Sequence, residues 1–373
     1  KRTSQRKQGK NSMRVVLANS VRELGGEEVW EVRFAKFLLA NQDQVRFFVR
    51  PGKFSEVVKK EGFSVVEFPM RFDWDIFAIK KFQKELKNFQ AELVMFNARR
   101  DFRIGVIGAG WAGVPLKIKR SWFLKSSIWD KFYYNRVDYV VCLSKNIESL
   151  FKKKLGLSPN KIFYLPNGAQ LERFEKVDGS RFRNQLGIKQ DELLIGISAR
   201  LEKHKRQADL IKAGKILIEK GYKIKIAFAG EGRDRANLEK LVDELRMREF
   251  VRFLGFVERI EEFLLSLDLF VFCSEFEGMP LAVLEAMASA KPIITTSLPG
   301  IIEIIEDGKD GLFYSVGDIN QLAEKIELLI KDKNLREKIA QSARDRVEKE
   351  FSETKLFEQF RQWLDRKLME KRG

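Results

Sequence analysis

Short apolar runs alternate with amphipathic stretches along nearly the whole chain from Met13, and this rhythm restricts the possible folds more than any other feature. In the first half MRVVLAN, QVRFFVR, SVVEF, ELVMF, PLKIK, YVVCL and KIFYL read as strands, with helices such as Glu27 to Asn41 and Trp74 to Phe89 between them. The stretch PNGAQLER, from Pro166 to Arg173, breaks the rhythm. LLIGIS, KIKIAFAG, VRFLG, LFVFC, PIITT and GLFY then resume it, each expected to lead into a helical stretch. Strands that alternate with helices pack as a parallel sheet covered on both faces. At 373 residues the chain is long enough for two such domains, each with its own core. The expectation is an α/β fold of two facing, doubly wound domains with a cleft between them, closed by a charged amphipathic helix from Lys355 to Lys371.

One glycine motif does not fit its usual use. GAGWAG, Gly108 to Gly113, matches the dinucleotide-binding fingerprint by letter, yet that fingerprint needs a strand before it and a helix after it. Here a helical stretch from Asp101 precedes it and Pro115 with strand-like LKIK follows, so it reads as a helix ending in close packing.

The formal net charge is +17, which calls for an anionic partner or else a Lys-rich solvated surface. The segment from Lys117 to Arg136, KIKRSWFLKSSIWDKFYYNR, holds six basic residues, one acid and six aromatics. Lys117, Lys119, Arg120, Trp122, Phe123, Lys125 and Trp129 are the candidates for docking on an anionic membrane surface. The same composition also suits a groove for single-stranded nucleic acid, which the charge alone does not separate from a lipid surface. No run reaches the roughly 18 uncharged residues that cross a bilayer, and no secretory signal is legible at the start. Residues 1–12, with five basic groups and no apolar residue, are expected to be disordered, as a native tail or an added remnant before Met13. The two cysteines, Cys142 and Cys273, each end an apolar run and read as reduced core residues of a cytoplasmic chain. With His204 as the single histidine, a zinc site is not expected.

Chemistry is concentrated in SEFEGMPLAVLEAMA, Ser274 to Ala288, where Glu277 and Glu285 are separated by seven residues across a Gly-Met-Pro turn. Pro280 suits a first helical position, so the segment reads as strand, loop and helix, with Glu285 one to two turns in. A carboxylate in so apolar a helix start requires a polar partner. That partner is either a nearby Lys or Arg, with Glu277 then merely solvated, or a hydroxyl-bearing ligand at the carboxyl end of the strand. After LLIGIS comes a basic loop from Ala199 to Arg206, and cations are unfavourable at a helix start unless an anion meets them. Arg200 and Lys205 on this loop could reach a diphosphate together. Gly230-Glu231-Gly232, Gly255, and Gly25-Gly26 before Glu27-Glu28 fall at equivalent strand ends, where glycine lets a ligand approach the backbone.

These residues together resemble the retaining nucleotide-sugar glycosyltransferases of the GT-B fold, the group 1 glycosyltransferases of envelope and lipopolysaccharide-core type. The resemblance rests on Gly25-Gly26 with Glu28, Pro166-Asn167-Gly168, Arg200 with Lys205, Gly230-Glu231-Gly232, Leu254-Gly255, and Glu277-Gly278-Met279-Pro280 through Glu285 to Pro292 and Gly300. It implies two Rossmann-like domains: residues 13–170, joined by a returning helix in 354–373, for the acceptor, and residues 171–353 for the donor. By the same resemblance Arg200 and Lys205 neutralise the diphosphate, Glu277 holds the transferred sugar, and Glu285 binds ribose hydroxyls. Gly25, Gly26, Gly230, Gly232, Gly278, Met279, Pro280 and Leu281 approach the donor, and Phe256 and Val257 lie beside the base. No metal and no cofactor beyond the nucleotide-diphosphate sugar is implied, since the basic pair supplies the positive charge.

Many relatives carry a histidine near the end of the strand that here reads PLKIKRS, and often another at the strand end reading MFNARRD. The matching positions are Arg120 and Asn97, the acceptor-side candidates, and arginine cannot act as a base near neutral pH. The expected activity is hexosyl transfer to a glycolipid or polysaccharide acceptor at the inner face of the cell membrane, by a cytoplasmic, peripherally attached enzyme that does not bind nucleic acid. The competing expectation is a non-catalytic nucleotide-sugar or anionic-polymer binding protein on the same fold.

Overall fold

The computed structural model describes residues 12–121 and 129–372. Residues 1–11 of the expected tail, and Trp122, Phe123 and Lys125 of the expected docking segment, lie outside the described residues. The chain divides into two compact units, Lys1–Leu165 with Phe357–Gly373, and Pro166–Leu356.

The first unit runs β1 (Arg14–Asn19), α1 (Gly26–Ala40), β2 (Gln44–Val49), α2 (Lys53–Lys60), β3 (Ser64–Glu67), α3 (Ile76–Phe89), β4 (Leu93–Phe96), α4 (Arg99–Ala112), β5 (Leu116–Ser121), α5 (Asp130–Tyr134), β6 (Tyr139–Cys142), α6 (Lys145–Leu155) and β7 (Ile162–Tyr164). Its seven strands are all parallel, in the order β3-β2-β1-β4-β5-β6-β7. The second unit runs α7 (Ser180–Gln185), β8 (Leu193–Ser198), α8 (Gln207–Glu219), β9 (Ile224–Ala229), α9 (Arg235–Glu244), β10 (Val251–Gly255), α10 (Ile260–Ser266), β11 (Leu269–Phe272), α11 (Leu281–Ala288), β12 (Ile293–Thr296), β13 (Leu312–Tyr314), α12 (Ile319–Lys331) and α13 (Lys333–Glu350). Its parallel strands lie in the order β10-β9-β8-β11-β12-β13. Every strand run read from the sequence forms a strand, because both faces of a parallel sheet are covered and each strand must be apolar throughout. One expectation fails: between β12 and β13 the chain makes turns around Ile301 to Ile304 instead of a helix.

The GAGWAG segment is the end of α4, closed by Gly113 at φ +73°. A Cβ at Gly105 would stand 2.4 Å from the Phe96 ring, and one at Gly108 3.0 Å from the Ile79 carbonyl oxygen. The glycines of this helix therefore let α4 sit tightly on α3, as the sequence reading of close packing requires. Both cysteines are buried and free.

The last helix, α14 (Glu353–Arg372), has its Phe357 to Arg372 part in the first unit. There Phe357 meets Trp30 and Phe34 of α1, while Phe360 and Trp363 stack on Phe163 of β7. Beneath these rings Arg361 makes a two-pronged pair with Asp43, Nε to Oδ2 at 2.8 Å and Nη2 to Oδ1 at 2.9 Å. Asp43 also accepts the Met13 N–H at 2.9 Å, tying the start of β1 to the end of the chain. No helix among the described residues is long and apolar enough to cross a membrane. Both partners of the Arg361 pair are buried, so Arg361→Ala leaves a carboxylate stranded and is expected to cost about 3–5 kcal/mol, read as a lowered midpoint in urea unfolding at neutral pH.

Candidate functional site

In the second sheet the order in which strands are added reverses between β8 and β11, which are parallel neighbours although β9 and β10 intervene in the chain. A crevice outside the carboxyl ends of strands at such a switch point is where open α/β sheets bind ligands. The two loops leaving β8 and β11 carry Arg200, Lys205 and Glu277, and α11 carries Glu285.

These loops hold each other. The Glu275 N–H donates to the His204 carbonyl at 3.0 Å, and the Ser274 hydroxyl reaches the same oxygen at 3.3 Å. Gln207 at the start of α8 donates to the Arg200 carbonyl at 2.8 Å. From the chain segment before α7, the Asn167 amide donates to the Met279 carbonyl at 2.9 Å. Behind the loop, a Cβ on Gly300 would lie 1.5 Å from the Gly278 carbonyl oxygen, so the turn after β12 supports the Glu277–Pro280 loop only as glycine. Pro280 stands one position earlier than expected: it is the cap, extended at φ −74° and ψ 121°, and Leu281 opens the helix.

The glycine loop after β9 has a packing role of its own. A Cβ at Gly230 would lie 2.0 Å from the Ala199 carbonyl oxygen, and one at Gly232 2.1 Å from that of Leu201. Their small size is demanded by the Arg200 loop lying against them, with Leu201 donating to the Glu231 carbonyl at 2.9 Å. They position the basic loop, and close ligand approach is not needed to explain them.

Charge is distributed unevenly. Lys205 donates to the Glu277 carboxylate. Arg173 stands between two acids, 2.5 Å from Glu261 and 3.7 Å from Glu285. The expectation that Glu285 bridges a nearby cation is thus met in part, at a distance too long for a tight hydrogen bond. Arg200 is exposed and enters no ion pair among the described residues. His204 is held below its usual pKa by burial and by Lys205, so it is a neutral ring at neutral pH. Phe276 stacks on that ring with centroids 4.7 Å apart and remains 56% exposed. At the end of β10, Phe256 is 72% exposed and Val257 half-buried. Arg173 and Phe276 escaped the sequence reading. Phe276 directly precedes Glu277 and could have been noticed, whereas Arg173 meets Glu285 only through the fold.

In the first unit the equivalent strand ends carry a buried polar network. Glu31 of α1 accepts from Asn19 at 2.8 Å and from Asn97 at 2.8 Å. Asp101 accepts the Ser20 N–H and hydroxyl at 3.0 and 2.8 Å and the Asn97 N–H at 3.1 Å. Lys119 donates to the carbonyls of Asn97 and Arg120 at 2.9 and 2.8 Å. Arg120 pairs with Glu27 and lies 3.6 Å from the Trp30 ring centroid. Gly25 donates its N–H to Glu28 at 3.0 Å, so this helix start is capped from within and an anion there would have to displace a carboxylate.

Two docking candidates are corrected by this network. Lys119 and Arg120 are buried, because β5 lies between β4 and β6 inside the sheet, and neither reaches a lipid headgroup. Lys117 is paired with Asp138 at 3.1 Å, while Trp129 is exposed as expected.

The comparisons with known proteins agree with this geometry. Residues 178–346 match the family of glycosyl transferases group 1, and residues 24–173 match glycosyltransferase family 4. The second unit thus carries a group 1 glycosyltransferase domain and the first a glycosyltransferase family 4 domain. It is 30% identical over 243 residues to the capsular polysaccharide biosynthesis glycosyltransferase CapM of Staphylococcus aureus, a match that covers 63% of each chain. It is 27% identical over 334 residues to the N,N'-diacetylbacillosaminyl-diphospho-undecaprenol alpha-1,3-N-acetylgalactosaminyltransferase of Campylobacter jejuni, covering 83% of this chain and 87% of that one. The chain thus matches less than two thirds of the length of the capsular relative. In fold it is similar to Anabaena HepE, solved in complex with UDP, with a TM-score of 0.83 at 20% identity over 94% of this chain and 99% of that one.

Burial drives Glu31 up to about 8, outweighing the hydrogen bond from Asn19, and burial also raises Asp101. A carboxyl whose folded pKa lies above its unfolded one binds more protons folded than unfolded, so its contribution to stability falls as pH rises between the two values. Lys119, pushed down to about 8 by burial, changes stability only above that window. Stability of the first unit is therefore expected to fall between about pH 4.5 and 8, and Glu31→Gln is expected to flatten that slope in urea unfolding at the two ends of the range.

Proposed function

We propose that this chain transfers a hexose from a nucleotide-diphosphate sugar to a lipid-linked or cell-envelope polysaccharide acceptor, with retention of anomeric configuration, at the cytoplasmic face of a membrane. The observation that carries this reading is the exposed Arg200, without an ion pair among the described residues, on the loop that is bonded to the Glu277 loop at the switch point of the second sheet. A fixed cation there meets the diphosphate and stabilises it as negative charge grows on the leaving oxygen. Lys205 adds a second cation and does the work otherwise given to a metal, so the transfer is proposed to be metal-independent. Glu277, held by Lys205, accepts hydrogen bonds from the sugar hydroxyls, and Glu285 accepts from the ribose. Phe256 supplies an exposed ring for the base. In the reaction the bond from the anomeric carbon to the diphosphate oxygen breaks as the acceptor oxygen bonds to the same face of that carbon. The acceptor proton goes to the departing phosphate oxygen.

The relatives support the substrate classes. UDP occupies HepE in its solved complex, and the Campylobacter enzyme's name specifies a diphospho-undecaprenol acceptor. One observation favours a second reading, binding of a nucleotide sugar or anionic polymer without transfer. The family's histidine positions hold Asn97 and a buried Arg120, neither of which is a base.

Calorimetric titration with UDP, GDP and ADP separates these readings. The transferase reading expects one nucleotide to bind, with binding weakened in Glu285→Ala, and sugar transfer slowed about a hundredfold in Arg200→Ala, roughly 3 kcal/mol of transition-state stabilisation. Nucleotide binding with no transfer to any lipid-linked acceptor supports the second reading, and the absence of all nucleotide binding overturns the transferase reading and leaves the anionic-polymer one.

A further inference from the structure

An exposed set of apolar residues lies in the first unit, on the loop before α3, on the first turn of α3, and beside α5. Phe72, Trp74, Ile76, Phe77, Trp129 and Phe132 are all exposed, Phe77 by 83%. Three of the rings are held through Tyr133: Trp74 meets Trp129 edge to face at 5.9 Å and Tyr133 at 6.0 Å, and Phe132 meets Tyr133 at 5.2 Å. The acids beside the rings are turned to internal partners, while Glu85, further along α3, is half-buried. Asp73 bonds Arg103 at 2.5 Å and lies 3.5 Å from Arg100, Asp75 caps the Ala78 N–H at 3.0 Å, and Asp130 bonds Arg103 at 3.1 Å.

What faces outward around the rings is positive. Lys80, Lys84 and Lys87, spaced four and three residues apart, form one stripe along the outer face of α3, while Arg71 and Lys131 flank the rings. All five are exposed and form no ion pair among the described residues. Arg136 lies flat on Phe132, its guanidinium carbon 3.4 Å from the ring centroid.

We propose that α3 and the loop leading into it are the surface on which this protein docks onto an anionic lipid bilayer, with Phe77 and Trp74 entering the interface and the lysine stripe lying on the headgroups. This rests on the membrane-surface part of the function proposed above and assigns it to α3 and its leading loop, with only the end of the basic segment that the sequence suggested, around Trp129 and Phe132, beside them. A contiguous apolar patch rimmed by charge marks an interaction surface. Its composition selects the partner: lysine is depleted at protein interfaces, whereas unpaired lysines beside Trp and Phe suit anionic headgroups over acyl chains.

Co-sedimentation of the whole chain tests this with vesicles of phosphatidylcholine alone and of phosphatidylcholine mixed with phosphatidylglycerol. Binding is expected to the mixed vesicles only. It should fall about fivefold for each of Lys80→Ala, Lys84→Ala and Lys87→Ala and about tenfold or more for Phe77→Ser. These positions are solvent-facing, so circular dichroism and nucleotide binding should be unchanged in the same variants. Equal binding to both vesicle types, or mixed-vesicle binding that every variant retains, overturns the proposal. So does a concentration-dependent dimer that Phe77→Ser dissociates while no vesicle is bound, which would give the face to a second copy of the chain. Vesicle binding by a protein that binds no nucleotide supports the docking surface and removes only the donor reading.

Discussion

Backbone packed directly on backbone governs the carboxyl edge of the second sheet. Gly230 and Gly232 lie against the carbonyls of Ala199 and Leu201, and Gly300 lies against that of Gly278, at separations that leave no room for a Cβ. These contacts bring the loops after β8, β9, β11 and β12 into one layer, and hydrogen bonds from Glu275, Gln207 and Asn167 then fix their heights. The positions of Arg200, Lys205 and Glu277 follow from that layer. A site on loops is normally the mobile part of a fold. Here the loops brace one another, which is the preorganisation that charge stabilisation in a reaction demands.

The two units treat polar groups at their strand ends in opposite ways. In the first, Asn19, Glu31, Asn97, Asp101 and Lys119 are buried in one hydrogen-bonded network in which the Asn97 side-chain oxygen lacks a partner among the described residues, and burial drives carboxyl and ammonium groups both toward their neutral forms. Desolvation, the dominant cause in each, disfavours charge of either sign. In the second unit the charges sit nearer solvent: Lys205 and Glu277 keep a close ionic contact, and Arg200 is left without one among the described residues. A buried, hydrogen-bonded network gives rigidity, and an exposed cation gives affinity for an anion. Family resemblance aligned residues in both units as site candidates, but their surroundings suit them to these different tasks.

Strand identity was legible almost completely, because a parallel sheet buried on both faces asks each strand for an apolar run and each connection for an amphipathic one. The exception, the helix expected between β12 and β13, failed because Ser297 to Ile304 is spent on the Gly300 contact and the turns around it. The Glu277 and Glu285 motif, the basic loop and the exposed Phe256 could also be read in advance. Arg173 as the neighbour of Glu285 could not, since the two positions are far apart in the chain and only the folded unit brings them to 3.7 Å. Two members of the docking segment were misjudged for the same reason: Lys119 and Arg120 are basic in letter, but β5 is an interior strand.

The amino-acid sequence by itself determined two doubly wound α/β units, the order of their strands in the chain, and the loop chemistry that points to an anionic, hydroxyl-bearing ligand. Local periodicity and residue type suffice for those, since they depend on neighbours a few positions away. Tertiary structure alone decided which cations are spent on internal carboxylates and which remain available, which glycines serve packing, and which aromatics face solvent. Those outcomes depend on burial and on partners distant in sequence, and a charge or a ring carries neither in its letter.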